Sequence, residues 1–82
     1  TKISKAVHIS HNVQIGNHCL ITGAVSIAGS TTIGDHVWIS PGATILNKLS
    51  IGNHAFVAIG ATVTQSIPDN YQAIGRKILP KN

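Results

Sequence analysis

The 82-residue chain has no methionine, a single cysteine, one residue each of tryptophan, tyrosine and phenylalanine, and only two carboxylate side chains, Asp35 and Asp69. Each scarcity removes a class of protein. One cysteine cannot make a disulfide framework, and a lone thiol suits the cytoplasm. No apolar run approaches the length needed to span a bilayer, and there is no signal-peptide pattern, so we expect no membrane span. Against the two acids stand six basic residues, a formal charge of +4. Lys2, Lys5, Arg76, Lys77 and Lys81 lie near the ends, leaving the body nearly neutral outside its histidines. A basic stripe with interleaved aromatics is missing, which argues against nucleic acid, whereas basic ends suit an anionic partner or simply solvated termini. The absence of methionine even at position 1 leads us to expect further residues upstream.

What the chain does have is a strict period. Every sixth residue from Ile3 to Val63 is isoleucine or valine: Ile3, Ile9, Ile15, Ile21, Ile27, Ile33, Ile39, Ile45, Ile51, Val57 and Val63. A helix would repeat at 3.6 residues and a simple strand at two, so a sustained hexad fits neither and marks a repeat architecture. Two residues before each anchor sits a second small or aliphatic residue, among them Val7, Cys19, Thr31 and Ala55. Each unit therefore reads as a short strand with two inward side chains, followed by a turn. Ile15-Gly16-Asn17-His18, Ile33-Gly34-Asp35-His36 and Ile51-Gly52-Asn53-His54 recur every three hexads, and we expect their Gly and Asn/Asp to supply the positive φ of tight corners. Three units then close one coil of a triangular, all-β parallel β-helix, with coils about 4.8 Å apart.

Folding the string this way sorts the residue before each anchor onto three outer faces. Face A, on Ile3, Ile21, Ile39 and Val57, presents Leu20, Trp38 and Phe56; face B, on Ile9, Ile27, Ile45 and Val63, presents His8, Ser26, Thr44 and Thr62; face C presents Gln14, Thr32 and Ser50. The ladder on face A holds the only Trp and the only Phe, and a contiguous exposed apolar patch marks an interface or a ligand groove. The period breaks after Val63. Pro68 cannot donate to a strand ladder, so we expect the β-helix to occupy residues 1–66 and a turn with a short C-terminal tail, crossing the open end of the core, to occupy 67–82.

His18, His36 and His54 fall in one row at the corner between faces C and A. The repeat itself dictates their spacing, and stacked imidazoles do not converge as tetrahedral ligands must, so they are read as structural or interface residues and no metal is expected. His11 is different. It occupies a corner slot filled elsewhere by Asn17, Gly23, Gly29, Asp35, Pro41, Asn47 and Asn53, so the repeat gives no reason for histidine there, and Gly29 lies one coil above. An imidazole beside a bare glycine amide can serve acyl transfer, taking a proton from the attacking group while the amide donates to the developing oxyanion. A plain surface histidine is the competing reading.

Over residues 3 to 66 the hexads resemble those of the hexapeptide-repeat acyltransferases. That resemblance implies a left-handed β-helix, a homotrimer with active sites between subunits, and a thioester donor without a bound cofactor. Ile9-Ser10-His11-Asn12-Val13-Gln14-Ile15-Gly16 with Ile27-Ala28-Gly29-Ser30-Thr31-Thr32-Ile33-Gly34 is similar to the catalytic stretch of the UDP-3-O-acylglucosamine N-acyltransferases of lipid A (lipopolysaccharide) biosynthesis. The likeness places the general base at His11 and the oxyanion amide at Gly29. Asn12, its partner in the His-Asn pair, is then a substrate-binding candidate, together with Lys48 and Trp38. Asn47-Lys48 stands where that family has a Gly-His pair, and Lys48 offers charge in place of proton transfer. Residues 60 to 70 look more like acetyl-coenzyme A-dependent sugar acetyltransferases, although Gly75-Arg76-Lys77-Ile78 replaces their usual ending.

The function expected is therefore transfer of an acyl group from acyl carrier protein or coenzyme A to an amine or hydroxyl of a nucleotide-linked sugar, by a cytoplasmic enzyme. Acetyl transfer to a sugar and an inactive trimeric stem are the alternatives. A γ-type carbonic anhydrase would want two histidines five apart, and an ice-binding face would want repeated Thr-x-Thr, which occurs only at Thr62-Val63-Thr64.

Overall fold

A computed structural model describes residues 1–81. Eleven two-residue strands, each made of one outward residue and its anchor, run from Lys2–Ile3 to Thr62–Val63 and stack in parallel into three sheets. Partners are 18 residues apart throughout: Leu20 pairs with Trp38, Ser26 with Thr44, and Thr32 with Ser50. This is the parallel β-helix expected from the hexads, with the three faces composed as the sequence implied. The side chains of Ile21, Ile27, Ile33, Ile39, Ile45 and Ile51 stack inside it with almost no exposure, alongside Val25, Val37, Val57 and Val63. Burying each side chain of this size stabilises the fold by about 1.5–3 kcal/mol before entropy is counted. Cys19 lies in its inward slot, its Sγ 3.1 Å from the Gly34 carbonyl oxygen.

The corners depart from expectation in one respect. Positive φ belongs to the third residue after each anchor, at Ala6, Asn12, His18, Ala24, Ser30, His36, Lys48, His54 and Asn70 as well as Gly42 and Gly60, and not to the Gly-Asn/Asp pairs themselves. Those pairs have another task. The Asp35 Oδ1 accepts from the Asn17 N–H at 2.8 Å, Asn53 Oδ1 from the Asp35 N–H at 2.8 Å, and Asp69 Oδ1 from the Asn53 N–H at 2.7 Å. Each capping oxygen lies over the preceding glycine of the coil below. A Cβ on Gly34 would collide with the Asn53 Oδ1 and sit 3.0 Å from the Asn53 nitrogen, and one on Gly52 would sit 2.5 Å from the Asp69 Oδ1. Glycine is required by close approach, with no help from its conformational freedom.

Past Ser66 the chain keeps to the stack. Ile67 bridges Ile51 with an offset of 16 in place of 18, so two residues are dropped from the turn that follows Val63. Pro68 takes the slot that glycine fills in the coils below, and Asp69 and Asn70 take the capping and left-handed slots. The expected tail is a β-hairpin: Tyr71–Ile74 pairs in parallel with Phe56–Val57, and Lys77–Pro80 returns antiparallel to it. It lengthens face A and brings Tyr71 and Ile78 against the last coil of the core.

Gly34→Ala should therefore destabilise the protein by about 2 kcal/mol or more in urea unfolding, through overpacking and loss of the Asn53 cap. In an Asn53→Ala background the same substitution should cost about 1 kcal/mol less, because its nearest obstacle is gone; equal costs in both backgrounds would show that the cap does not dictate the glycine. Asp35→Asn keeps the accepting oxygen and should change stability by less than about 1 kcal/mol.

Candidate active site at the edge between faces B and C

His11, Asn12, Gly29 and Lys48 all lie on one edge of the prism, the turns that follow Ile9, Ile27 and Ile45. Stacking alone brings them together. The His11 carbonyl oxygen accepts from the Ser30 N–H at 2.9 Å, and the Gly29 carbonyl oxygen accepts from the Lys48 N–H at 3.0 Å. Asn12, Ser30 and Lys48 form the left-handed row of this edge, with φ of 61°, 61° and 59°, and all three are exposed. A Cβ on Gly29 would lie 3.3 Å from the His11 carbonyl oxygen, so glycine also eases the step between these coils.

The His11 side chain is exposed, and Gly29 is half-buried. Among the described residues nothing accepts a hydrogen bond from the Gly29 N–H. The corresponding amides of Asn17, Asp35 and Asn53, on the edge between faces C and A, are all capped. An uncapped amide one coil above a histidine offers a donor for an acyl-transfer oxyanion and, in the histidine, a candidate base.

Against this edge, on face B, runs an open groove of about 150 Å³. One side is the row His8, Ser26 and Thr44; the other is Ser10, Ala28 and Leu46, the residues that directly precede His11, Gly29 and Asn47. Its His8 end is polar. Leu46, 41% exposed, makes the far end of that side apolar. The sequence pattern gave no sign of this groove, because its width depends on how far the turn residues stand out from the strands.

Trp38 is not part of this cluster. It stands 51% exposed on face A between Leu20 and Phe56, its ring edge-on to Phe56 at 5.4 Å and 76°. In a triangular coil the edge between B and C lies opposite face A, so Trp38 can meet His11 only across two copies of the chain. The remaining histidines form the row foreseen from the period: His18, His36 and His54 stack with centroids 5.0 and 4.9 Å apart and ring planes within 16°. Among the described residues no three His, Cys, Asp or Glu side chains gather as metal ligands do.

Residues 30–65 match a family model described as bacterial transferase hexapeptide (six repeats). No curated protein matches the chain. A solved structure, the hexapeptide-repeat containing-acetyltransferase of Vibrio cholerae, is similar with a TM-score of 0.72 and 17% identity, over 96% of this chain and 72% of that one. At that identity the likeness establishes the fold. The chain thus carries the bacterial transferase hexapeptide repeat over residues 30–65, within a parallel β-helix like that of a hexapeptide-repeat acetyltransferase.

Proposed function

We propose that this β-helix belongs to an acyltransferase that moves an acyl group from a coenzyme A or acyl carrier protein thioester to an amine or hydroxyl of a nucleotide-linked sugar, as in lipid A biosynthesis. The observation that carries the reading is the uncapped Gly29 amide stacked one coil above His11, each residue directly following one that lines the groove, Ala28 and Ser10. The His11 imidazole takes the proton of the acceptor as its nitrogen or oxygen attacks the thioester carbonyl. The Gly29 N–H donates to the oxygen that becomes negative in the tetrahedral intermediate. The C–S bond then breaks, the thiolate recovers the proton from the imidazolium, and the products are an amide or ester and a free thiol.

Asn12 and Lys48 flank these groups on the same edge and bind polar parts of the substrates, Lys48 offering its charge to phosphate. No resident metal or cofactor takes part in this scheme.

The active unit is a homotrimer in this reading. Leu20, Trp38 and Phe56 form an outward apolar ladder that a neighbouring copy covers, and such a neighbour carries Trp38 toward the edge that holds His11. Light scattering at micromolar concentration should give the mass of a trimer, and Trp38→Ala should shift it toward monomer; a wild-type monomer with freely quenched Trp38 fluorescence would remove the assembly from the proposal.

His11→Ala should lower kcat at least about a hundredfold, the usual cost of losing a general base, with the trimer intact. His18→Ala, His36→Ala and His54→Ala should change it little. Wild-type turnover in His11→Ala combined with loss in His8→Ala would move the base to the groove wall, and turnover insensitive to both would leave the β-helix a scaffold.

A further inference from the structure

Two edges of the prism use the same turn but treat its second amide differently. On the edge between faces C and A, the Asn or Asp of each coil caps the amide one coil below, at 2.7–2.8 Å, and the residue before each capped amide is Gly16, Gly34 or Gly52. A Cβ at any of the three would run into the capping oxygen. On the edge between faces B and C, Asn47 occupies the capping slot over Gly29 and carries the same carboxamide as Asn53.

The backbone there is equivalent. The left-handed residues Ser30 and Lys48 have φ of 61° and 59°, against 58° and 61° for His36 and His54. The bond from the Lys48 N–H to the Gly29 oxygen measures 3.0 Å, against 2.9 Å from the His54 N–H to the Asp35 oxygen. Yet Asn47 does not cap Gly29. The difference in the slot below is Ala28: a Cβ added at the equivalent Gly16 or Gly34 would fall 2.3 Å from the capping oxygen, and Ala28 carries such a Cβ.

We propose that Ala28 is a positioning residue whose methyl group holds the Asn47 side chain off the Gly29 N–H and so keeps that amide open to substrate. Its effect on turnover rests on the acyl-transfer reading of this edge; the steric relation rests on the coils alone.

The test is Ala28→Gly, which removes the obstacle without imposing a left-handed φ. Hydrogen exchange of the Gly29 amide should slow at least tenfold as Asn47 closes over it, while the Asp35 amide, capped in either protein, reports that the fold is intact. Adding Asn47→Ala should return Gly29 exchange to the wild-type rate, and Ala28→Ser, which retains a Cβ, should leave it fast. Acetyl transfer from acetyl-coenzyme A to a nucleotide-linked amino sugar should fall about 10²-fold in Ala28→Gly, as for loss of an oxyanion donor, and recover in the double variant. Unchanged Gly29 exchange in Ala28→Gly, with Asp35 still protected, would overturn the proposal. Slowed exchange with undiminished transfer would uphold the steric relation and overturn the oxyanion role given to Gly29.

Discussion

The β-helix from Lys2 to Val63 is governed by parallel stacking at a fixed offset of 18 residues. The strands of each coil hydrogen-bond to the coils above and below, so side chains meet their counterparts one turn away along the chain. The inward β-branched anchors fill the interior because identical shapes repeat at the strand spacing. The constraint acts equally on the outside, where it turns residues distant in sequence into rows on a face or an edge. The residues assigned to catalysis are neighbours for no other reason.

Stacking this close makes the turn residues decisive. An edge built of glycine and Asn or Asp seals its amides with side chains from the next coil, and stacks the imidazoles of His18, His36 and His54 on its outer surface. An edge with Ser10, Ala28 and Leu46 in the glycine slots leaves amides uncapped and raises one wall of a groove. The same backbone thus gives one edge with capped amides and one where the Gly29 amide is open. One methyl group suffices for the difference, because the capping oxygen and a Cβ compete for the same space. The open edge lies opposite the aromatic face, so a second copy of the chain is the natural means of bringing the two together.

The end of the period shows how the stack tolerates interruption. Two residues are lost after Val63, yet Ile67 enters the inner column and the corner of Pro68, Asp69 and Asn70 repeats the corners below it. Proline fits there because, among the described residues, no coil lies above to demand the close approach that excludes a side chain from Gly52. The hairpin that follows adds strands to face A, where Ala73 sits in the next inward position.

The hexad by itself determined the coil length, the three faces, the inward columns and the rows of histidines and aromatic residues, since each depends only on position modulo 18. It also placed His11 one coil below Gly29. The tertiary structure decided what depends on distances between side chains and the neighbouring backbone: that the left-handed residue is His18 rather than Gly16 or Asn17, that the corner glycines serve close approach, that residues 71–80 form a paired hairpin, and that a groove borders the His11 edge. It also decided that the Gly29 amide is open while the Asp35 amide is capped. A repeat period carries the register of the coils but not the room between them.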